Sequence, residues 1–188
     1  MAIRKILHYG EASLREPSKE VHKVSKKITE LVQDLLDTMY AKNGVGLAAP
    51  QIGENVRVFV IDVSTNKEPL KPMVFINPKI IKKSGAIVSN EGCLSFPEAY
   101  TDVRRYKNIL VKATNEHGKS FVMEAKDGTL LARAIQHEND HLDGVLFIDH
   151  CINRFETEEI LKKHKLPNLD PDKLIEEKNL EEELEKND

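Results

Sequence analysis

Apolar residues recur at helical spacing in two parts of the chain. Six of them would share one face of a helix predicted over residues 25–43: Ile28, Leu31, Val32, Leu35, Leu36 and Met39. Ser25 stands where an N-cap is expected, and Gly44 stands where a glycine commonly ends a helix. The same spacing predicts a second helix over residues 129–142, with Thr129 as its cap.

Alternating or valine-rich apolar stretches predict β-strands between these helices. We expect strands over residues 56–63, 72–78 and 79–89, with a turn near Gly85, and a hairpin over residues 108–126 that turns at 115–118. A last helix is predicted over residues 155–165. Because strands and helices do not alternate regularly, the order favours an α+β fold with antiparallel sheets over a doubly wound parallel fold.

Composition limits the classes of protein that the chain can belong to. Its 188 residues are 40% hydrophobic and 31% charged, as in an ordinary globular protein. The net charge of −3 argues against a general nucleic-acid binder, so we expect no direct DNA binding. We see no signal peptide and no apolar run near the roughly 20 residues of a membrane span, so we expect a cytoplasmic protein without membrane contact. In that compartment Cys93 and Cys151 are expected to be metal-binding, reactive or buried rather than bridged.

The charge is unevenly distributed along the chain. Residues 170–188 carry nine acidic residues and three lysines, a net charge of −6, which leaves +3 for the rest. We therefore expect one catalytic domain over residues 1–166 and an acidic extension over residues 167–188, either a short helix or disordered.

The predicted helix 129–142 contains the sequence HENDH. His137 and His141 are four residues apart and would lie on one helix face, where they can bind one metal ion. Glu138 follows the first histidine and can reach a water on that ion. A chance match is the alternative, but the amphipathic pattern around the motif argues against it.

A catalytic site of this kind usually needs a third protein ligand, and several residues could provide it. Carboxylates are numerous, and His150 is near in sequence, although Gly144 is expected to end the helix before it. Cys93 is the better candidate because it lies in a short glycine-containing segment between apparent strands, and a thiolate binds zinc or ferrous iron strongly.

Three segments together resemble the signature segments of bacterial peptide deformylases: GVGLAAPQIG (44–53), EGCLS (91–95) and QHENDHLDG (136–144). The resemblance covers about residues 1–150 and implies an α+β fold with antiparallel β-sheets packed around a central HExxH helix, with an N-terminal and a C-terminal helix. It implies removal of the formyl group from the N-terminal methionine of new polypeptides.

The resemblance also implies roles for individual residues. Cys93, His137 and His141 would hold one divalent ion, with a water as fourth ligand and Glu138 as general acid/base. The ion would be Fe²⁺ in the cell, with Zn²⁺, Ni²⁺ or Co²⁺ possible in a purified sample. The Gln51 amide and the backbone N–H of Leu94 would be donors to the reacting carbonyl oxygen; by itself Gln51 could equally be a turn residue.

Further residues follow from the same resemblance. Glu91 and Arg105 match positions that form a buried ion pair. Substrate binding is assigned to four residues: Val45, Gly46, Leu130 and Ala134. Arg133 and Ser89 stand where some relatives carry apolar pocket residues, so we place them on the rim.

Two other functions compete with this one. HExxH is commonest in zinc endopeptidases, and a non-catalytic metal-binding protein is a second alternative. Cys93 upstream of the helix disfavours the first, and the presence of Glu138, Gln51 and Cys93 disfavours the second. Expected partners are formyl-methionyl nascent polypeptides and the ribosome, although residues 170–188 are too acidic to bind ribosomal RNA.

Overall fold

Two long strands dominate the structure, a computed structural model that describes residues 2–64 and 69–175. The antiparallel sheet has the order β1 (Gly46–Ala48), β2 (Val58–Ile61), β3 (Met73–Cys93), β4 (Phe96–Thr114) and β5 (Ser120–Ala125). Each strand pairs with its neighbour in sequence. The expected α+β fold with antiparallel pairing is confirmed.

The region around Gly85 differs from the prediction of two strands separated by a turn. Gly85 adopts a positive φ of 64°, yet Ser84 pairs with Asn108 and Ala86 pairs with Tyr106 on either side of it. A glycine in a strand can absorb such a local distortion without ending the strand. The chain therefore continues in β3 and turns only after Cys93, which pairs with Phe96.

Over residues 2–64 and 69–175, three α-helices accompany the sheet: α1 (Lys26–Ala41), α2 (Leu130–Leu142) and α3 (Arg154–Lys163). Thr129 caps α2 as predicted, because its side chain accepts a hydrogen bond from the Ala132 N–H. Ser25 occupies the N-cap position of α1, but its side chain makes no capping hydrogen bond.

The end of α1 corrects the prediction for Gly44. Asn43 takes the left-handed conformation with φ of 54°, and the Gly44 N–H donates to the Met39 carbonyl. Asparagine tolerates this conformation better than most residues because its short side chain can bond locally. A Cβ at position 44 would lie 2.8 Å from Leu94 Cδ1, so the Leu94 side chain would have to shift to admit it.

Both long helices pack on the sheet through apolar faces. The buried side of α1 shares one cluster with β2 and β3, including Leu35 and Met39 against Val60. The buried side of α2 shares a second cluster with Phe59 and Phe75, whose rings stack at 4.6 Å. Burial of these apolar surfaces holds α2 against the sheet and fixes the position of its motif.

The chain after α3 folds back onto the domain as far as it is described. Leu169 is buried in a third apolar cluster, and the Ile175 N–H donates to the Asp149 carbonyl. Most of the predicted acidic extension, residues 176–188, lies outside the described residues. Within the described ranges, no helix combines the length and apolar character of a membrane span.

Candidate active site

The three candidate metal ligands come from two elements. Cys93 is the last residue of β3, while His137 and His141 lie one turn apart on α2. Their ligand atoms all lie within 4.8 Å of one another, and Cys93 Sγ is 3.3 Å from His141 Nε2. The structure therefore brings together the three residues that the sequence suggested. His150 is not part of this group.

The donor set fits one divalent ion. A thiolate with two imidazoles is a typical environment for zinc and is compatible with ferrous iron. His137 Nδ1 lies 3.0 Å from Glu91 Oε2, so the carboxylate fixes the ring and leaves Nε2 for a metal ion. Such a carboxylate partner is the usual companion of a metal-ligating histidine.

The two histidines differ in protonation. Burial lowers the pKa of His141 well below its ordinary value, so this ring is neutral, as a ligand must be. Burial also lowers the pKa of His137, but hydrogen bonds to Cys93 and Glu91 raise it well above its ordinary value. A metal ion at this site would compete with a proton for His137.

Glu138 is a buried carboxyl group beside the ligands. Burial raises its pKa to about 7, so both protonation states are accessible near neutral pH. Within the described residues its Oε2 atom is buried and has no hydrogen-bond partner. Its Oε1 atom faces Gly46, where an added Cβ would lie only 2.4 Å away. The site thus contains a carboxyl group suited to accept and donate a proton.

Gln51 is held in a fixed orientation. Its Oε1 accepts a hydrogen bond from the Ala48 N–H at 2.9 Å, and its Nε2 donates to Cys93 Sγ at 3.3 Å and to Ser95 Oγ at 3.2 Å. Leu94 lies in the two-residue turn between β3 and β4. Both proposed donors therefore lie beside the ligand group. The sequence reasoning did not single out Ser95, although it belongs to the EGCLS segment.

The predicted contact between Glu91 and Arg105 is present in the structure. Arg105 Nε and Nη2 donate to the two Glu91 oxygens at 3.0 and 2.9 Å. Burial raises the pKa of Glu91, but the charge of Arg105 and a hydrogen bond from His137 lower it to about 2. Arg105 also binds Asp140, a contact that the sequence analysis did not anticipate.

A cleft of about 1000 Å³ leads to these groups. Its lining includes the four residues assigned to substrate binding: Val45, Gly46, Leu130 and Ala134. Val45 and Leu130 are 43% and 44% exposed, so they offer apolar surface to a ligand. Arg133 also lines the cleft, but Ser89 does not.

An α+β fold that joins an HExxH helix to a cysteine at a strand end defines a candidate metal-dependent hydrolase. The chain belongs to the polypeptide deformylase family, whose model matches residues 3–157. The resemblance seen in the sequence is thereby confirmed, and with it a hydrolase that acts on the formyl amide.

Individual relatives agree with this assignment. A peptide deformylase of Baumannia cicadellinicola is 48% identical over 172 residues, which are 90% of this chain and all of that protein. Peptide deformylase 1 of Clostridium acetobutylicum is 50% identical over 149 residues, 79% of this chain and 95% of that one. Both alignments include the candidate site.

Solved structures are also similar. The crystal structure of a peptide deformylase from Synechococcus elongatus in complex with actinonin has a TM-score of 0.81 at 38% identity, covering 89% of this chain and 94% of that one. The peptide deformylase from Legionella pneumophila has a TM-score of 0.81 at 40% identity, with 87% and 94% covered. The shared fold disfavours the endopeptidase alternative.

Proposed function

We propose that this chain hydrolyses the N-formyl group of the N-terminal formyl-methionine of newly made polypeptides and releases formate. The observation that carries the proposal is the grouping of Cys93, His137 and His141, whose ligand atoms lie within 4.8 Å of one another. The buried Glu138 follows His137 directly. Family membership supports the same reaction.

Cys93, His137 and His141 would hold one divalent ion. When bound, such an ion lowers the pKa of a water molecule from 15.7 to about 7 and polarises the carbonyl group. We propose Fe²⁺ as the ion in the cell and expect that Zn²⁺, Ni²⁺ or Co²⁺ can replace it in purified samples.

Glu138 is the proton carrier of the reaction. Its carboxylate takes a proton from the attacking water while the water oxygen bonds to the formyl carbon. Glu138 then delivers the proton to the leaving amine nitrogen as the C–N bond breaks, which leaves formate and a free amino terminus. A pKa of about 7 suits a group that must both accept and donate.

Gln51 and Leu94 would stabilise the negative charge that develops on the formyl oxygen. Ala48 and Ser95 hold the Gln51 amide in place. Its second N–H, which donates to Cys93 Sγ in the structure, would turn to the formyl oxygen. The Leu94 N–H would be the second donor. Donors of this kind each contribute about 3 kcal/mol to the barrier reduction.

The cleft would bind the substrate as an extended peptide. We propose that Val45, Leu130 and Ala134 contact the methionine side chain, because they provide apolar surface in the cleft. The backbone at Gly46 would pair with the substrate in the manner of a β-strand. The buried polar residues of the cleft, Gln51 and Glu138, remain available to the formyl end of the peptide.

We propose that the protein acts in the cytoplasm on nascent polypeptides, near the ribosome. One catalytic domain over residues 1–166 would carry the activity. Residues 170–188 would not bind ribosomal RNA, because their net charge of −6 is repelled by phosphate groups.

Turnover of formyl-Met-Ala-Ser by an anaerobically purified preparation tests the proposal. Glu138→Gln keeps the shape of the side chain and should lower kcat by at least about 100-fold, since general acid–base catalysis contributes 10²–10⁴. Its metal content should stay at the wild-type level. Glu116→Gln, in the turn between β4 and β5, is the matched control and should keep full activity. Full turnover by Glu138→Gln would reject the proposed role of Glu138.

A further inference from the structure

A continuous chain of polar contacts leads from His137 away from the cleft. His137 Nδ1 contacts Glu91, and Glu91 accepts two hydrogen bonds from Arg105. Arg105 Nη1 donates to Asp140 Oδ2, and His150 Nε2 lies 3.0 Å from the same oxygen. Three side chains, those of Glu91, Arg105 and Asp140, thus connect a candidate metal ligand with a histidine that follows α2 in sequence.

Every link of this chain is shielded from solvent. The side chains of Arg105 and Glu91 are 2% and 8% exposed, and those of His150 and Asp140 are 13% and 20% exposed. Asp140 Oδ2 is shared between Arg105 and His150, so His150 donates its Nε2 proton to that carboxylate. A shielded carboxylate with two donors has little freedom to move.

The far end of the chain lines a second cavity of about 320 Å³, on which Lys83 and Arg104 also lie. Asp140 and His150 both line this cavity. Without the His150 donor, the Asp140 carboxylate would gain freedom to turn toward the cavity and would hold Arg105 less firmly. Arg105 in turn orients Glu91, which orients His137.

We propose that His150 is a positioning residue for the metal ligand His137, acting through Asp140, Arg105 and Glu91. The inference rests on the proposed function, because it assumes that His137 holds a metal ion. Partners that orient a metal-bound histidine usually change metal affinity 10- to 100-fold when they are removed. Because His150 acts at a distance, the effect should lie at the lower end of that range.

The test compares the affinity of the full-length protein for Zn²⁺ in competition with a chromophoric chelator. His150→Leu removes the donor and should weaken binding by about tenfold. His150→Gln keeps an N–H at the position of Nε2 and should restore binding to within about threefold of wild type. Ile175→Ala is the matched control. Ile175 lines the same cavity, and its apolar side chain cannot take part in the polar contacts from His137 to His150.

The Co²⁺ absorption spectrum provides a second readout that a merely structural role would not move. His150→Leu should shift the thiolate and ligand-field bands, whereas His150→Gln and Ile175→Ala should keep the wild-type spectrum. If His150→Leu does not fold, His150→Phe, which keeps a ring but has no donor, takes its place. Zn²⁺ binding weakened by about tenfold then supports the inference, and unchanged binding overturns it.

Three other results would overturn the inference: unchanged affinity in His150→Leu, equal weakening in His150→Gln, or equal weakening in Ile175→Ala. The measurement uses no formylated substrate. A wild-type protein that binds Zn²⁺ but releases no formate when it is loaded with Fe²⁺ under anaerobic conditions refutes the proposed function and leaves the role of His150 to be judged by the binding data alone.

Discussion

Replacement of Arg105 by methionine should destabilise the fold strongly. The guanidinium is 2% exposed and bonds two carboxylates, Glu91 and Asp140. Methionine keeps much of the volume but leaves both carboxylates in a buried site without their cation. Breaking a buried pair from one side typically costs about 3–5 kcal/mol, because the remaining charge is uncompensated.

The pKa of Glu91 is lowered by its contacts with Arg105 and His137. Its pKa falls from 4.5 to about 2, even though burial opposes this change. Since one pKa unit corresponds to about 1.4 kcal/mol, the ionised carboxylate is stabilised by about 3 kcal/mol in the folded protein. This stabilisation is fully present above the unfolded pKa and is lost as the pH falls through about 2.

Urea denaturation at pH 7 measures the loss, with Arg57→Met as the matched control. Arg57 pairs with Asp143, whose side chain is 47% exposed, and donates to the Leu142 and Pro78 carbonyls. Its substitution leaves no buried charge unpaired and should cost about 1–2 kcal/mol. A double-mutant cycle with Glu91→Gln should give a coupling energy of about 1–3 kcal/mol. The reasoning is refuted if Arg105→Met costs no more than Arg57→Met, or if the cycle shows no coupling.

Three further perturbations give distinct outcomes. Gly46→Ala should lower turnover at least about tenfold, because the added Cβ would lie 2.4 Å from Glu138 Oε1. Gly118→Ala is the control: a Cβ there would meet no atom within 4 Å, so turnover should be kept, while the positive φ should cost about 1–2 kcal/mol of stability. Asp62 is buried and bonded to a tyrosine hydroxyl and two backbone N–H groups, so Asp62→Asn should lower the unfolding free energy at pH 7 by about 1–3 kcal/mol. Burial raises the pKa of Asp62, but its hydrogen bonds lower it below its ordinary value. The difference in unfolding free energy between wild type and Asp62→Asn should therefore shrink as the pH falls below about 4. A difference that stays constant with pH would argue against this role of Asp62. Zn²⁺ at 100 times its Kd should raise the unfolding free energy by about 2.7 kcal/mol, and Cys93→Ala should abolish most of that gain in a thermal melt.

The central helix could be predicted from the sequence because two signals coincide there. The apolar spacing of residues 130–142 fixes which face is buried, and Thr129 marks the start. His137, Glu138 and His141 then follow from helical geometry alone. The position of Cys93 beside them could not be derived in this way, since it depends on the pairing of two long strands. The glycine-containing segment and the thiolate made Cys93 the better of several candidates, and the resemblance to known deformylases pointed to the same residue.

The length of β3 and β4 was underestimated for a physical reason. The stretch around Gly85 is rich in lysine and serine, and a glycine with positive φ usually marks a turn. Tertiary pairing with β4 outweighed this local preference. Likewise, the contact of Asp140 with Arg105 joins residues that are 35 positions apart along the chain, so spacing in the sequence carried no signal for it.

The most direct test of the account is product analysis with two matched peptides, formyl-Met-Ala-Ser and acetyl-Met-Ala-Ser, incubated with the Fe²⁺- or Co²⁺-loaded protein under anaerobic conditions. Mass spectrometry and a formate assay should find equal amounts of formate and intact Met-Ala-Ser from the formylated peptide, and far slower release from the acetylated one. Cleavage of an internal peptide bond without formate release would contradict the proposed function.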